Sequence, residues 1–289
     1  QFPEDELPLM YRLLHKDFAT DVFVEMDTDL QQALIESFTD RELEYIVDDL
    51  FLDDTVDIIE EMPANVVKRI LSHADAEKRR QINQILHYPE DSAGTIMTTE
   101  FVELKSTFTA EDAFKTIRRT GLEKETIYTC YVTDDKRLLI GVVTVKDMLL
   151  AGEDAIIGDI MDTKPIYVYT DDDKEDVMKA MTKYDFLAMP VVDKETRLVG
   201  IVTIDDAMDV LQDEDTEDIE LMAAITPSDK PYSRTGTLEM WKNRIPWLMF
   251  LMLSATFTSM ILTKFEDMLA VQAGLVAFIP MLMGTGGNS

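Results

Sequence analysis

Several acidic residues stand at spacings that place two carboxylates on the same face of a helix. Asp53 and Asp57 are four residues apart, and Asp206 and Asp209 are three apart. Such pairs repel each other unless a cation bridges them. Hard divalent cations such as Mg²⁺ bind a few carboxylate oxygens and keep several waters. We therefore predict a set of metal-binding carboxylates. Its members are Asp53, Asp57, Asp173, Glu175, Asp185, Asp206, Asp209 and Glu217.

The overall charge agrees with a cationic ligand. The chain has 57 Asp and Glu residues against 27 Lys and Arg, a formal net charge of −30, and the acidic excess lies before residue 233. Such a surface repels nucleic acid, which we exclude as a partner. For any single acidic residue, a solvated surface position that only maintains solubility is the alternative.

Other chemistries find little support in the residue types. Three histidines and one cysteine argue against a zinc or iron site. The single Cys130 excludes a disulfide framework and is typical of a reducing cytosol. We find no nucleophile–base pairing, no P-loop and no His-Glu-x-x-His motif, so we predict that the protein is not an enzyme.

Residues 1–88 are predicted to form an acidic all-α domain with a superhelical or bundled arrangement. The segments DLQQALIESF, RELEYIVDDL and DTVDIIEEMP each place apolar residues three and four positions apart. Thr39 and Glu42 have the spacing of a capping box. Asp53 or Asp54 is predicted to cap the next helix.

Residues 89–216 contain an internal repeat, with copies at about 89–155 and about 156–216. Short β-branched strands alternate with helical segments, which predicts an α/β fold. Each copy opens with Ile-Met and closes with Gly-hydrophobic-Val-Thr-x-x-Asp. These motifs begin at Ile96 and Gly141 in the first copy, and at Ile160 and Gly200 in the second. The pair resembles tandem CBS domains, which implies two β-α-β-β-α units with clefts for adenine nucleotides.

Five residues of the repeat are candidates for binding such a nucleotide, for example ATP. Asp147 and Thr203 belong to the closing motifs, where a hydroxyl and a carboxylate can bind ribose. Ile166, Phe186 and Pro190 could form an apolar wall for a purine. The alternative is that the polar residues only cap helices and the apolar residues belong to the core.

The last part of the chain is predicted to enter a lipid bilayer. The uncharged stretch IPWLMFLMLSATFTSMILT, between Arg244 and Lys264, is long enough to span a hydrocarbon core of about 30 Å. Lys242 and Arg244 precede it, which places the large acidic part on the cytoplasmic side. A second uncharged stretch follows Asp267, so we predict a helical hairpin.

The second stretch ends in MLMGTGGNS. Irregular, glycine-rich backbone at membrane depth is tolerated only inside protein or beside a water-filled cavity. We therefore predict that Gly284, Gly286, Gly287 and Asn288 line a pore. The alternative is close packing of helices through small residues.

The order of these parts resembles the MgtE family of magnesium channels and transporters. The helical domain and the CBS pair are followed by a connecting helix at 217–245 and a truncated membrane hairpin at 246–289. The most specific segments are FIPMLMGTGGNS and YPEDSAGTIMTTEF. The resemblance covers essentially the whole chain, and the predicted metal-binding residues match the ligands of the family at its domain interfaces.

The resemblance implies a homodimer in the cell membrane with five membrane helices per subunit, three of them beyond this sequence. It implies import of Mg²⁺ through a pore that closes when Mg²⁺ binds between the cytoplasmic domains. The competing interpretation is a transporter of another divalent cation or solute, regulated through its CBS domains mainly by adenine nucleotide.

Overall fold

The chain divides into two units. The first ends at Leu211 and the second begins at Gln212. The computed structural model describes residues 7–89, 91–223, 226, 237–265 and 278. The predicted second membrane stretch, with Gly284, Gly286, Gly287 and Asn288, lies outside these residues apart from position 278.

Short helices form the first part of the structure, as the three- and four-residue periodicity predicts. They are α1 (Leu7–Tyr11), α2 (Lys16–Val24), α3 (Thr28–Ser37), α4 (Asp40–Asp49), α5 (Leu52–Glu61), α6 (Ala64–His73) and α7 (Ala76–Ile85). Their apolar faces enclose one core, in which Leu34, Val56 and Ile82 are fully buried. Burying these faces supplies the stability that such short helices lack in isolation.

Helix α4 begins with the predicted capping box. The Glu42 amide donates to Thr39 Oγ1 at 3.3 Å, and the Thr39 amide donates to Glu42 Oε2 at 2.8 Å. The cap predicted for α5 is wrong, because this helix begins at Leu52 and its N-cap position is Phe51, whose side chain makes no capping bond. Asp53 and Asp54 therefore lie inside the first turn.

The repeat folds into two three-stranded sheets that share one topology. The strands are β1 (Val102–Lys105), β2 (Thr129–Thr133), β3 (Leu139–Thr144), β4 (Val168–Tyr169), β5 (Ala188–Val192) and β6 (Leu198–Thr203). In each sheet the first strand is parallel to the second, and the second is antiparallel to the third. The helices are α8 (Ala110–Thr120), α9 (Val145–Leu150), α10 (Ile157–Ile160), α11 (Lys174–Tyr184) and α12 (Ile204–Met222). The predicted combination of a helical domain and an α/β repeat is confirmed.

The two sequence motifs of the repeat meet across the copies. Thr98, after the first Ile-Met, pairs with Ile201 in β6, and Asp162, after the second, pairs with Val142 in β3. A Cβ atom on Gly200 would lie 2.6 Å from the sulfur of Met97. Only glycine permits this approach, so each copy completes the fold of the other.

In the second unit, α13 (Thr237–Lys264) is one continuous helix that includes Pro246. Its segment Trp241–Lys264 has the length and composition of a membrane span, and its side chains are not buried by the rest of the described structure. It contains the predicted first span together with the end of the predicted connecting segment.

Candidate metal centre

Helix α5 carries acidic side chains on the face that points away from the helical core. Leu52, Val56 and Ile59 point into that core and are buried. Asp53 is only 5% exposed, which is unusual for a carboxylate, and the cationic group that interacts with it is Lys78. Asp57 lies one turn further along and is exposed.

The repeat supplies acidic side chains opposite α5. Asp206 lies in the first turn of α12, where its Oδ2 accepts a hydrogen bond of 2.6 Å from Thr203 Oγ1. Glu100 and Glu125 come from the segments before β1 and before β2, and the Glu125 amide donates to the Glu100 carbonyl at 2.9 Å. We call the set formed by Asp53, Asp54, Asp57, Glu100, Glu125, Asp205 and Asp206 the interdomain acidic cluster.

Burial and mutual repulsion disfavour the charged forms of five members of this cluster. The pKa of Asp53 lies well above its usual value, first because the group is desolvated and then because Asp206 lies nearby. Desolvation followed by repulsion from Asp206 raises the pKa of Asp57 to about 7 and that of Glu125 to about 8. Desolvation also raises the pKa of Asp206 to about 7, and that of Asp54 to about 6. At neutral pH the cluster therefore favours binding of protons or cations.

The donor set fits a hard, hydrated cation. The cluster contains only oxygen ligands, and Glu125 Oε2 is buried without a hydrogen-bond partner. Within the described ranges, three or more His, Cys, Asp or Glu side chains are nowhere arranged to hold a metal ion by themselves. Mg²⁺ suits such a surface because it retains several waters and needs only one or two carboxylates.

The structure brings three of the predicted ligands together, namely Asp53, Asp57 and Asp206, which interact electrostatically. Asp209 is exposed one turn after Asp206 on α12, and Glu217 is exposed further along the same helix, in the second unit.

The remaining predicted ligands lie at the two ends of α11. Asp173 is the N-cap of this helix and accepts a bond of 2.8 Å from the Glu175 amide. Glu175 also pairs with Lys179 at 2.8 Å. Asp185 follows the last turn in a left-handed conformation, with φ of 55°. A helix of 11 residues separates its ends by about 16 Å, so one ion cannot join both ends within a chain.

The two closing motifs of the repeat have different surroundings. In the first copy, Thr144 and Asp147 form a capping box, and Asp147 is exposed. In the second copy, Thr203 is bonded to Asp206, whose carboxylate belongs to the acidic cluster. The first pair is thus the one whose carboxylate remains open to solvent.

The predicted purine wall is only partly exposed. Ile166 is 36% exposed and Pro190 is buried within β5. Phe186 is half-buried and stacks on Tyr184, with 5.6 Å between ring centroids.

Sequence reasoning missed four members of the acidic cluster, namely Asp54, Glu100, Glu125 and Asp205. Asp54 and Asp205 adjoin predicted ligands, so the doublets Asp53-Asp54 and Asp205-Asp206 were an available signal. Glu100 and Glu125 lie in loops without periodicity, and only the folded chain brings them close to α5.

The fold and the cluster define a class of protein in which a helical acidic domain joins a CBS pair. Residues 1–91 match the MgtE intracellular N domain, and residues 93–154 and 157–213 match the CBS domain. Over 242 residues the chain is 40% identical to the magnesium transporter MgtE of Thermus thermophilus, covering 82% of this chain and 54% of that protein. It is 30% identical to the magnesium transporter MgtE of Bacillus subtilis, covering 100% of this chain and 64% of that protein.

A solved structure has the same architecture. It is the crystal structure of the cytosolic domain of the Mg²⁺ channel MgtE in complex with ATP, with 35% identity and a TM-score of 0.69, covering 72% of this chain and 86% of that chain. The chain belongs to the MgtE family. It spans about half the length of the first curated relatives that it matches.

Proposed function

We propose that this chain is the regulatory part and the start of the membrane part of a transporter that imports Mg²⁺ across the cell membrane. In this proposal, Mg²⁺ bound between the helical domain and the CBS pair restrains transport. The observation that carries it is the buried Asp53 on α5 opposite Asp206 on α12, with pKa values that stay raised although Lys78 is among the charged neighbours of Asp53. The matching relatives named as magnesium transporters support the identity of the ion.

Repulsion within the acidic cluster supplies the switch. Without divalent cations, ionised Asp53, Asp57 and Asp206 disfavour the close approach of α5 to α12. Bound Mg²⁺ neutralises this repulsion and favours the docked arrangement. The free energy by which it shifts the equilibrium is set by the difference in its affinity for the docked and open arrangements. Helix α12 begins at the cluster and continues into the second unit, so it can carry the change toward the membrane helix.

The other predicted ligands are proposed as further Mg²⁺ sites. Asp173 with Glu175, Asp185, Asp209 and Glu217 lie on surfaces that one copy of the chain does not close around an ion. A homodimer, which the family resemblance implies, would place two copies of these surfaces together. Lys242 and Arg244 lie in the first part of α13, just before its uncharged stretch, and favour a cytoplasmic position for both soluble domains.

Adenine nucleotide is proposed as a second ligand of the CBS pair. The exposed Asp147 beside Thr144 supplies a ribose-binding carboxylate, and a related structure is a complex with ATP. If nucleotide were the main signal, the cluster would be incidental and another divalent cation or solute would be the cargo.

Limited proteolysis of the whole chain in detergent separates these possibilities. We expect Mg²⁺ alone to protect the chain, and the triple variant Asp53→Asn, Asp57→Asn and Asp206→Asn to show the same cleavage with and without Mg²⁺. Asp154→Asn, which changes an exposed acid outside the cluster, serves as the matched control. Protection by ATP without any effect of Mg²⁺ would support the competing function. Reconstituted full-length protein should then transport Mg²⁺ in vesicles, with the triple variant no longer inhibited by internal Mg²⁺.

A further inference from the structure

The side chain of Lys78 lies against the junction between α4 and α5. Its ammonium donates to the Val47 carbonyl at 2.6 Å and to the Leu50 carbonyl, at the C-terminal end of α4. A positive charge is favourable at such an end, because the last carbonyls of a helix have no partner within it. The Lys78 amide in turn donates to the N-cap of α7, Asp75 Oδ1, at 2.6 Å. All of these contacts lie within the helical domain, so they do not depend on docking.

The CBS pair contacts the same junction when the two domains are docked. The Leu52 amide, two residues after Leu50, donates to Glu100 Oε2 at 3.0 Å. Burial lowers the pKa of Lys78, while the charges of nearby acids favour its ammonium form. Those acids are Glu100, Asp48, Asp75 and Asp53. The half-buried ammonium therefore interacts with acids of both domains, and Glu100 of the CBS pair is the first among them.

We propose that Lys78 is a fixed cation of the interdomain acidic cluster, which takes the place of one divalent ion when the helical domain docks on the CBS pair. This rests on the proposed function, because it concerns how many ions the docked arrangement needs. When the domains separate, Lys78 stays on the end of α4 and its interaction with Glu100 is lost. One ammonium offsets only part of the charge of the cluster, so Mg²⁺ remains necessary for docking.

Three variants of Lys78 test this role by limited proteolysis of the whole chain in detergent at increasing Mg²⁺. Lys78→Gln removes the charge and keeps an N–H group that can donate to the end of α4. We expect it to raise the Mg²⁺ concentration that half-protects the chain by roughly fivefold, a coupling typical of a partly buried charge pair. The protection curve should also become steeper, because a further ion must be taken up on docking.

The other two variants separate charge from packing. Lys78→Met also removes the charge, and its midpoint should shift in the same direction, so the result does not depend on how well glutamine packs. Lys78→Arg keeps the charge, and its midpoint should lie closer to that of the unmodified chain than the midpoint of Lys78→Gln does. Lys68→Gln, at an exposed lysine of the same domain, is the control for net charge and should not shift the midpoint.

Monovalent salt distinguishes the charge of Lys78 from its contacts with the end of α4. The shift caused by Lys78→Gln should shrink at least twofold between about 0.1 M and 1 M NaCl, because the Debye length falls from about 10 Å to about 3 Å. A lost helix cap would act equally at both concentrations. A midpoint of Lys78→Gln that is unchanged or lower, or a shift that NaCl does not reduce, would overturn the role of Lys78. Failure of Mg²⁺ to protect even the unmodified chain would instead refute the proposed function, and this inference with it.

Discussion

Replacing Asp206 by asparagine should stabilise the protein in the absence of divalent cations. Asparagine has nearly the same shape and its oxygen can still accept from Thr203, so the substitution mainly removes a charge. The pKa of Asp206 is raised to about 7, chiefly by desolvation, and the group therefore prefers to be protonated in the folded state.

The size of the effect follows from this pKa. Raising the pKa of Asp206 from 3.8 to about 7 makes the ionised form roughly 4 kcal/mol less favourable in the folded protein at pH 8. Asp206 keeps some solvent contact, and the neighbouring acids rearrange when it is removed, so we expect about 2 kcal/mol. For a unit of this size, that raises the unfolding midpoint by about 4–8 °C.

The stability gained through Asp206→Asn depends on pH. A group whose pKa is raised on folding favours the folded state fully below its unfolded pKa, and this contribution is lost as the pH rises through the folded pKa. The gain from Asp206→Asn should therefore be small at pH 4 and complete above about pH 7. In Mg²⁺ the order should reverse, because the variant loses a ligand.

Differential scanning calorimetry of the whole chain in EDTA, at pH 5 and pH 8, measures this gain. Asp154→Asn, which neutralises an exposed acid outside the cluster, controls for net charge. A lower midpoint of Asp206→Asn at pH 8, or an equal effect at both pH values, would falsify the electrostatic reasoning.

The apparent Mg²⁺ affinity, measured by thermal shift, should rise from pH 6 to pH 8, because protons leave the cluster through pKa values of about 6 to 8 and stop competing. Gly200→Ala should lower the free energy of unfolding in urea by roughly 1–3 kcal/mol, because its Cβ would lie 2.8 Å from the Thr98 carbonyl oxygen. Thr39→Ala should cost about 1 kcal/mol in the same assay through loss of the capping box of α4. Met252→Arg should disfavour membrane insertion of α13 by roughly 3 kcal/mol in a glycosylation-mapping assay.

Each of the three substitutions has a matched control variant. Gly152→Ala should be tolerated, because its Cβ would meet no atom within 4 Å. Thr39→Ser keeps the capping hydroxyl and should remain close to the unmodified stability. Met252→Leu should insert normally. A Mg²⁺ affinity that is the same at pH 6 and pH 8 would show that protons do not compete at the cluster.

Much of the fold could be predicted because it is encoded locally. The periodicity of apolar residues identifies α3, α4 and α5, and Thr39 with Glu42 marks the start of α4. The repeated motifs identify the two α/β copies. These features depend on neighbours within a few positions, or on a pattern that occurs twice, and both can be read without coordinates.

The start of α5 shows where such reading fails. Two aspartates ahead of an apolar run suggested a local cap, but Leu52 is buried in the helical core and is the first residue of the helix. The N-cap position is therefore Phe51, two residues before Asp53. The Leu52 amide donates instead to Glu100 Oε2, which lies 48 positions further along the sequence. No local pattern contains that information.

For the candidate site, too, some properties follow from the sequence and others only from the folded chain. The acidic composition, the spacing of Asp53 and Asp57, and the absence of a His and Cys set are properties of the chain alone, and they already indicate a hard cation. Which carboxylates face one another is a property of the folded chain, because Asp53 and Asp206 belong to different domains. Their raised pKa values, and the orphaned oxygen of Glu125, arise only when packing removes water from both sides of the cluster.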